Sequence, residues 1–152
     1  MCIRDRFSNR QLTSLTAYAV TGTDEIVAET AALQESYVAA QQAKAAADAA
    51  AEQAAAEAAA LAQTNTVDGA KAAARDIASG QYGWGADQFS CLDSLWTKES
   101  GWNYQAYNAS GGATGIPQAL PGSKMASAGS DWQTNAATQI RWGLGYLSLI
   151  HI

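Results

Sequence analysis

One uninterrupted stretch near the N-terminus most limits what this chain can fold into. Residues 24–63 read DEIVAETAALQESYVAAQQAKAAADAAAEQAAAEAAALAQ, a run dominated by Ala, Gln and Glu that holds no Gly or Pro. Ala is the best helix former, and Asp24 and Glu25 suit a helix N-terminus, where the dipole favours negative charge. The run therefore predicts one helix, roughly 60 Å long at a rise of about 1.5 Å per residue.

The long helix admits two interpretations. Every seventh position is apolar or Ala, as in a coiled-coil seam, at Ile26, Leu33, Ala40, Ala47, Ala54 and Leu61. Almost any register of such a run lands on Ala, so a solvated helical spacer is the simpler interpretation, and self-association through a coiled coil is the alternative. The sequence TNTVDG at 64–69 breaks the pattern and predicts a linker.

The two ends of the chain carry a feature foreign to protein sequence. MCIRDR back-translates to ATG TGT ATA AGA GAC AG with one free base, and LSLIHI to CTG TCT CTT ATA CAC ATC. The two are reverse complements over nearly their whole length and match the transposase end sequence used in short-read library preparation. We therefore assign residues 1–6 and 147–152 to translated adapter, to be excluded from fold reasoning.

This assignment changes what the remaining residues can do. The chain's single histidine, His151, and one of its two cysteines, Cys2, fall in the adapter, so His catalysis and His metal ligation are excluded and Cys91 is left alone. Residues 7–146 are then a fragment open at both ends, with 7–23 a truncated N-terminal region. The lack of a signal peptide or membrane span carries no information about location.

The second segment, 70–146, differs in kind from the first. It holds all five tryptophans, both prolines and most of the glycines. Helices are predicted at 69–79, 86–100, 123–128 and 131–146, and no long β-branched alternation predicts a sheet. We expect a mainly α chain, in which the long helix precedes a small α domain.

Charge excludes some classes of function. The net charge of −5 resides in the first segment, because 70–146 holds equal numbers of acids and bases. Neither segment has the basic patch that nucleic-acid binding requires. No cluster of residues has metal-ligand spacing, and no cofactor motif is present, so we expect no nucleic acid, metal or cofactor.

A single carboxylate stands out in KESGWNYQAYNASGGATGIPQ, residues 98–118. Glu99 lies three residues after Trp96 and four after Leu95, so it continues an apolar helix face. Burial and the helix C-terminus both disfavour its charged form, which would suit a general acid. The alternative is a Glu capped by backbone donors at the domain's edge. The aromatic residues that follow, Trp102, Tyr104 and Tyr107, suggest either a groove wall or core packing.

Two motifs in this stretch, ESGWN and NASGGATGIPQ, resemble the active-site signature of the soluble-lytic-transglycosylase domain in the lysozyme-like superfamily. The similarity covers residues 71–146 and is strongest to secreted Gram-positive cell-wall proteins that join an Ala-rich helical region to this domain. Ile116 and Pro117 replace the usual Leu-Met pair, and the spacing from Glu99 to Gln118 is about one residue longer than in the commonest form.

The resemblance implies a secreted enzyme that cleaves the MurNAc–GlcNAc bond of peptidoglycan without a cofactor. Glu99 would protonate the glycosidic oxygen and then, as a base, accept the proton of the muramic acid 6-hydroxyl as a 1,6-anhydro ring closes. The substrate-binding groups implied by the resemblance are Gln118, the Gly115 backbone, Asn108 or Ser110, Trp102 and Tyr107. No role is assigned to Tyr146. Because the attacking hydroxyl belongs to the substrate, a single Glu suffices.

Three rival functions stay open. A hydrolytic muramidase requires a second carboxylate, for which the nearest candidate, Asp131, is better explained as an N-cap. Resuscitation-promoting factors share the single-Glu design, and a wall-binding protein would hold glycan in the same groove without cleaving it. The resemblance also implies that Cys91 forms a disulfide whose partner is lost, with a buried free thiol as the alternative.

Overall fold

The computed structural model describes residues 9–150, with side chains from residue 22 onward. It confirms a mainly α chain with a long N-terminal helix. The elements of this part are α1 (Asn9–Thr64), α2 (Val67–Tyr82), α3 (Ala86–Ser100), a 3₁₀ helix (Gly122–Ser127) and α4 (Ala136–Ile150). The adapter assignment for residues 1–6 and the positions of Cys2 and His151 lie outside the described residues.

Residues up to Gln53 form a unit of their own. Helix α1 begins at Asn9, so the predicted start at Asp24 is wrong: one Gly inside a helix costs only about 1 kcal/mol, and Gly22 does not end it. The side chains of residues 23–53 are exposed, including Ile26 and Leu33 at more than 60%. Exposure along this length fits a solvated spacer, and self-association stays a prediction.

The second unit begins at Ala54, and the predicted linker falls where α1 gives way to α2. Thr66 caps α2, since its side-chain oxygen accepts a hydrogen bond from Gly69 N at 3.0 Å. A side chain at Gly69 would collide with the Gln63 backbone, which explains a glycine there. Asn65 then bonds across to the start of α4, with its Oδ1 accepting from Ala136 N at 2.9 Å.

The core of this unit lies where α2, α3 and α4 meet. Helix α2 places a buried alanine at every fourth position, and these small side chains let α4 approach closely. Helix α4 faces them with a similar stripe of buried residues, and α3 adds the large side chains. The main contributors are Ala70, Ala74, Ala78, Phe89, Leu92, Trp96, Ile140 and Leu144.

Glycines end the two helices before the site. Gly83 stops α2 with φ 65° and Gly101 stops α3 with φ 62°, the left-handed conformation that lacks a Cβ penalty only for glycine. The Gly101 N–H bonds to Thr97 O at 3.1 Å and closes the last turn of α3. This sharp stop sends the chain from α3 into the 102–120 loop.

Helix α4 begins later than predicted. Its N-cap is Asn135, whose Oδ1 accepts from Ala137 N at 2.9 Å, so the predicted N-cap role of Asp131 is wrong. Asp131 instead accepts hydrogen bonds from Asn135 Nδ2 at 2.7 Å and Thr138 Oγ1 at 2.8 Å. The Asn135 bond, with that of Thr138, lowers the pKa of Asp131. At its other end α4 continues through 147–150, and the adapter origin of these residues stays a prediction.

Candidate active site

A cleft of about 330 Å³ opens beside the last turn of α3. Its walls come from α3, the loop at 117–120, the 3₁₀ helix and α4. Glu99 and Gln118, which the sequence places nineteen positions apart, both line it. Among the described residues that line this cleft, Glu99 is the one acidic residue and Lys124 is the one basic residue.

Glu99 faces this cleft in an exposed position. The prediction that Glu99 is buried is therefore wrong. The prediction that it lies on the same helix face as Leu95 and Trp96 agrees with the structure, because all three line the cleft. Trp96 is only 2% exposed one turn earlier, whereas Leu95 is already 38% exposed. Helical periodicity thus gives the direction of Glu99 correctly, but the core ends before the helix does and the cleft opens in its place.

Gly115 shapes the loop that carries Gln118. Its φ is 77°, and a Cβ there would collide with the Gln139 amide. Its N–H donates to Ala106 O at 2.7 Å, and its carbonyl accepts from Gln118 N at 3.1 Å and from Gln118 Nε2 at 2.9 Å. The backbone groups predicted to contact substrate are thus engaged within the chain.

Gln118 is held in an uncommon backbone conformation, with φ 50°. Positive φ is rare for a residue with a side chain and persists where surrounding contacts enforce it. The half-buried side chain folds back onto the Gly115 carbonyl through Nε2. Gln118 is therefore held in place in the cleft wall, and its role as a substrate-binding group stays a prediction.

Two side chains clamp the peptide groups of Ile116. Ser100 Oγ donates to Ile116 O at 2.8 Å, and Gln139 Oε1 accepts from Ile116 N at 2.9 Å. Gln139 is fully buried, and its Nε2 donates to Tyr104 O at 3.0 Å and to Trp132 O at 2.8 Å. The amide therefore fixes three segments of the domain, because each of its bonds satisfies a backbone group.

The prediction that Trp102 forms a groove wall is wrong. Its side chain is 2% exposed and packs edge-on against Trp96, with ring centroids 5.0 Å apart. Its Nε1 donates to Asp93 Oδ1 at 2.8 Å, and Lys71 Nζ lies 2.8 Å from the same oxygen. The Lys71 bond and that of Trp102 lower the pKa of Asp93 against the opposing effect of burial.

The three remaining residues implied by the resemblance lie on the exposed loop rather than in the cleft. Asn108 Oδ1 accepts from Ser110 N at 3.0 Å and from Gly111 N at 3.2 Å, which closes a tight turn. Tyr107 is 66% exposed. None of these three is among the described residues that line the cleft, so their assignment as substrate contacts has no support from its geometry.

An aromatic pair in the cleft was missed as a site by the sequence reasoning. Trp142 and Tyr146 lie one turn apart on α4 and stack with centroids 5.4 Å apart and planes 9° from parallel. Both line the cleft, and Tyr146 is 53% exposed. Their i, i+4 spacing was the available signal, because residues so spaced share one helix face.

Cys91 lies outside this cleft. It is a free, exposed thiol, so the alternative of a buried thiol is wrong, and the disulfide stays a prediction. It lines a neighbouring, larger depression with Trp84, Leu92 and Leu147.

In the described part of the chain, no group of three His, Cys, Asp or Glu side chains is arranged to bind a metal. No helix of that part has the length and hydropathy of a membrane span.

Comparisons with family models, with curated proteins and with solved structures find no match to this chain. The site must therefore be interpreted from its own chemistry. That chemistry is a lone exposed carboxylate at a helix end, with an amide, an ammonium group and a stacked aromatic pair around one cleft.

Proposed function

We propose that this chain is a peptidoglycan lytic transglycosylase of the lysozyme-like kind. The observation that carries the proposal is the meeting of Glu99 with Gln118 in a cleft whose described lining holds no other acid. A reaction that needs one carboxylate as both acid and base fits this arrangement. The motif resemblance around the same two residues independently favours the same activity.

The proposed reaction uses Glu99 twice. Protonated Glu99 donates its proton to the glycosidic oxygen as the C1–O bond breaks and an oxocarbenium-like state develops on the muramic acid ring. The 6-hydroxyl of that ring then attacks C1, and its proton returns to Glu99. The products are a free GlcNAc 4-hydroxyl and a 1,6-anhydro-muramic end, with the enzyme regenerated and no water consumed.

The exposure of Glu99 requires the substrate to complete the site. A glycan strand that fills the cleft displaces water from around the carboxyl group, so that the proton is transferred out of contact with bulk solvent. We therefore expect the site around Glu99 to be complete only when glycan is bound.

The aromatic pair supports a sugar ligand. Trp142 and Tyr146 place two aromatic rings in the same cleft, and the open face of an aromatic ring packs well against the axial C–H groups of a pyranose. Gln118 lies in the same cleft and offers polar atoms for sugar hydroxyls. The combination of an apolar platform with a few polar groups is typical of small-molecule and glycan sites.

A hydrolytic muramidase is less well supported by the same geometry. It requires a second carboxylate roughly 5–9.5 Å from the first. Asp131 is occupied by hydrogen bonds from Asn135 and Thr138 and does not line the cleft. The remaining alternative, a non-catalytic module that holds wall glycan, uses the same cleft and differs in having no product.

The test is digestion of purified peptidoglycan by the full chain, with the released muropeptides weighed by mass spectrometry. The wild type should release products one water lighter than those of a hydrolase, and Glu99→Gln should release none. Asp87→Asn is the matched control, because Asp87 is an exposed acid at the other end of α3. It should behave as wild type.

Three other results would contradict the proposal. Products that retain the water would indicate a muramidase, with a catalytic water in place of the 6-hydroxyl. Glycan binding by both wild type and Glu99→Gln, with no product from either, would indicate a binding module. Equal cleavage by Glu99→Gln and wild type would remove Glu99 from the chemistry altogether.

A further inference from the structure

Lys124 is a charged residue of the cleft to which the proposed reaction gives no role. It lies on the 3₁₀ helix, is exposed, and lines the cleft together with Glu99 and Gln118. Within the described residues its ammonium group forms no ion pair, whereas the exposed Lys44 is paired with Asp48 at 2.6 Å and Lys71 with Asp93 at 2.8 Å. The charge of Lys124 is therefore available to a ligand.

The backbone that carries Lys124 is held firmly. Its N–H donates to Pro121 O at 3.2 Å, and its carbonyl accepts from Ser127 Oγ at 2.9 Å. The next residue, Met125, is completely buried. At the start of the helix, a Cβ on Gly122 would lie 2.8 Å from Thr114 Cβ, so this helix packs tightly on the loop. The backbone of Lys124 is thus fixed in position at the wall of the cleft.

We propose that Lys124 is a specificity-determining residue that binds a carboxylate of the muramic acid unit. The inference rests on the proposed function for the identity of the ligand. A lysine ammonium is a compact, strongly hydrated point charge that forms a charge-assisted hydrogen bond with a carboxylate. N-acetylglucosamine carries no anionic group, so a cation in the cleft distinguishes a wall glycan from an uncharged chitin-like polymer.

The carboxylate has two sources in peptidoglycan. In a peptide-free strand it is the lactyl carboxylate of muramic acid itself. In a peptide-bearing strand the lactyl group is an amide, and the carboxylates belong to the stem peptide attached there. Both place a negative charge on the muramic acid side of the scissile bond, so both fit a single cation near Glu99. The chemistry at Lys124 is the same in each case.

The experiment measures glycan binding by the full chain in a Glu99→Gln background, so that no ligand is consumed. The probes are peptide-free glycan strands, the same strands with lactyl carboxylates converted to methylamides, and peptide-bearing strands with and without the same conversion. Lys124→Gln should weaken binding of the carboxylate-bearing probe roughly tenfold, as expected for one charge-assisted bond of about 1.4 kcal/mol. Lys124→Arg should retain most of the affinity.

Lys98→Gln is the matched control, because Lys98 is an exposed lysine next to Glu99 that does not line the cleft. It should leave binding unchanged. Sensitivity of the peptide-free strands to Lys124→Gln assigns the lactyl carboxylate, and sensitivity of the peptide-bearing strands alone assigns the stem peptide. The methylamide form of whichever probe responds should be insensitive to the substitution.

Two results would overturn the inference. Equal loss of affinity for native and methylamide glycans would mean that Lys124 contacts an uncharged group, and no loss for any probe would remove it from binding. The proposed function is judged separately by the cleavage products of the chain with Glu99 intact. Cleavage without a Lys124 effect leaves the function standing, whereas carboxylate-dependent binding without cleavage leaves a carboxylate-selective binding module.

Discussion

Ser100 Oγ lies 2.8 Å from the carbonyl oxygen of Ile116 and donates a hydrogen bond to it. The bond joins the last residue of α3 to the loop that carries Gln118. Glu99 precedes Ser100 by one residue, and Gln118 follows Ile116 by two. Glu99 and Gln118 are the two polar residues predicted to act on substrate. The hydrogen bond between their neighbours Ser100 and Ile116 therefore fixes the segments that carry them.

Ser100→Ala tests this contact. The substitution leaves the Ile116 carbonyl without its side-chain donor and should lower the free energy of unfolding by about 1 kcal/mol. It should also lower peptidoglycan cleavage by a larger factor than this loss of stability explains, because a small displacement of a catalytic group is costly. Urea denaturation and muropeptide release measure the two effects.

Ser130→Ala is the control for that pair of measurements, because Ser130 is an exposed serine in a turn and does not line the cleft. It should change neither quantity. Full cleavage activity in a destabilised Ser100→Ala protein would show that the bond supports the fold but does not position the site.

Gly143→Ala should narrow the cleft and destabilise the domain. A Cβ at Gly143 would lie 2.7 Å from Trp96 Cζ2 and 3.1 Å from Pro117 Cβ. Trp96 is buried in an interior that is close-packed, so overpacking should cost about 1–3 kcal/mol, against a gain in helix propensity of at most about 1 kcal/mol. Thermal unfolding measures the net loss.

Gly145→Ala supplies the comparison within the same helix. Its Cβ would meet Tyr82 Oη at 3.5 Å, an ordinary contact. Helix propensity then dominates, and the variant should be as stable as wild type or more stable by up to about 1 kcal/mol. If the two alanine variants unfold at the same temperature, α4 does not pack on Trp96 as described.

Sequence patterns predicted the helices better than the surfaces between them. The bounds of α3 are as predicted, because glycines flank an amphipathic stretch on both sides. Helix α4 was misplaced at its start because Asp131 and Asn135 are both good capping residues, and only tertiary contacts decide between them. The apolar stripe of α3 gave the correct face for Glu99 but not the point at which the core ends.

The candidate site was predicted only in part. Glu99 and Gln118 were found from a local motif, and the structure places both in one cleft. Trp102 was misassigned because an aromatic residue beside a Gly-rich turn fits a core or a groove equally well. Gln139 was missed, although a polar residue beside Ile140 on a buried helix face is itself a signal: burying an amide is costly unless backbone groups satisfy it.

Acid should destabilise the domain through Asp93 and Asp131. The pKa of Asp93 is lowered mainly by its hydrogen bond from Lys71, and the pKa of Asp131 mainly by its hydrogen bond from Asn135. A group whose folded pKa lies below its unfolded value, about 3.9 for Asp, stabilises the fold fully above that value. This contribution is lost as pH falls through the folded pKa. Stability should therefore decline from about pH 4 downward.

Urea midpoints at about pH 6 and about pH 3 measure this loss. Asp93→Asn removes one of the two charges while it keeps an oxygen that can accept from Trp102 Nε1. The variant should be less stable than wild type at the higher pH and should lose less stability on acidification. An equal loss in both proteins would mean that the ion pair with Lys71 does not contribute.

Two roles of Tyr146 can be distinguished by substitution: its ring could support a sugar ring, or its hydroxyl could take part in the chemistry. The residue is 53% exposed, and its ring stacks on Trp142. Tyr146→Ala should weaken glycan binding about three- to tenfold, the equivalent of roughly 0.5–1.5 kcal/mol for one aromatic contact. Tyr146→Phe keeps the ring and should bind as wild type, both variants being measured by titration with glycan strands in the Glu99→Gln background.

The same two substitutions in a chain with Glu99 intact complete the argument. A platform acts on the bound substrate and the transition state alike, so Tyr146→Ala should raise KM with little change in kcat. If Tyr146→Phe instead lowers kcat with KM unchanged, the hydroxyl rather than the ring is the functional group. Tyr146 would then touch the reacting atoms, and the cleft would contain a second catalytic side chain beside Glu99.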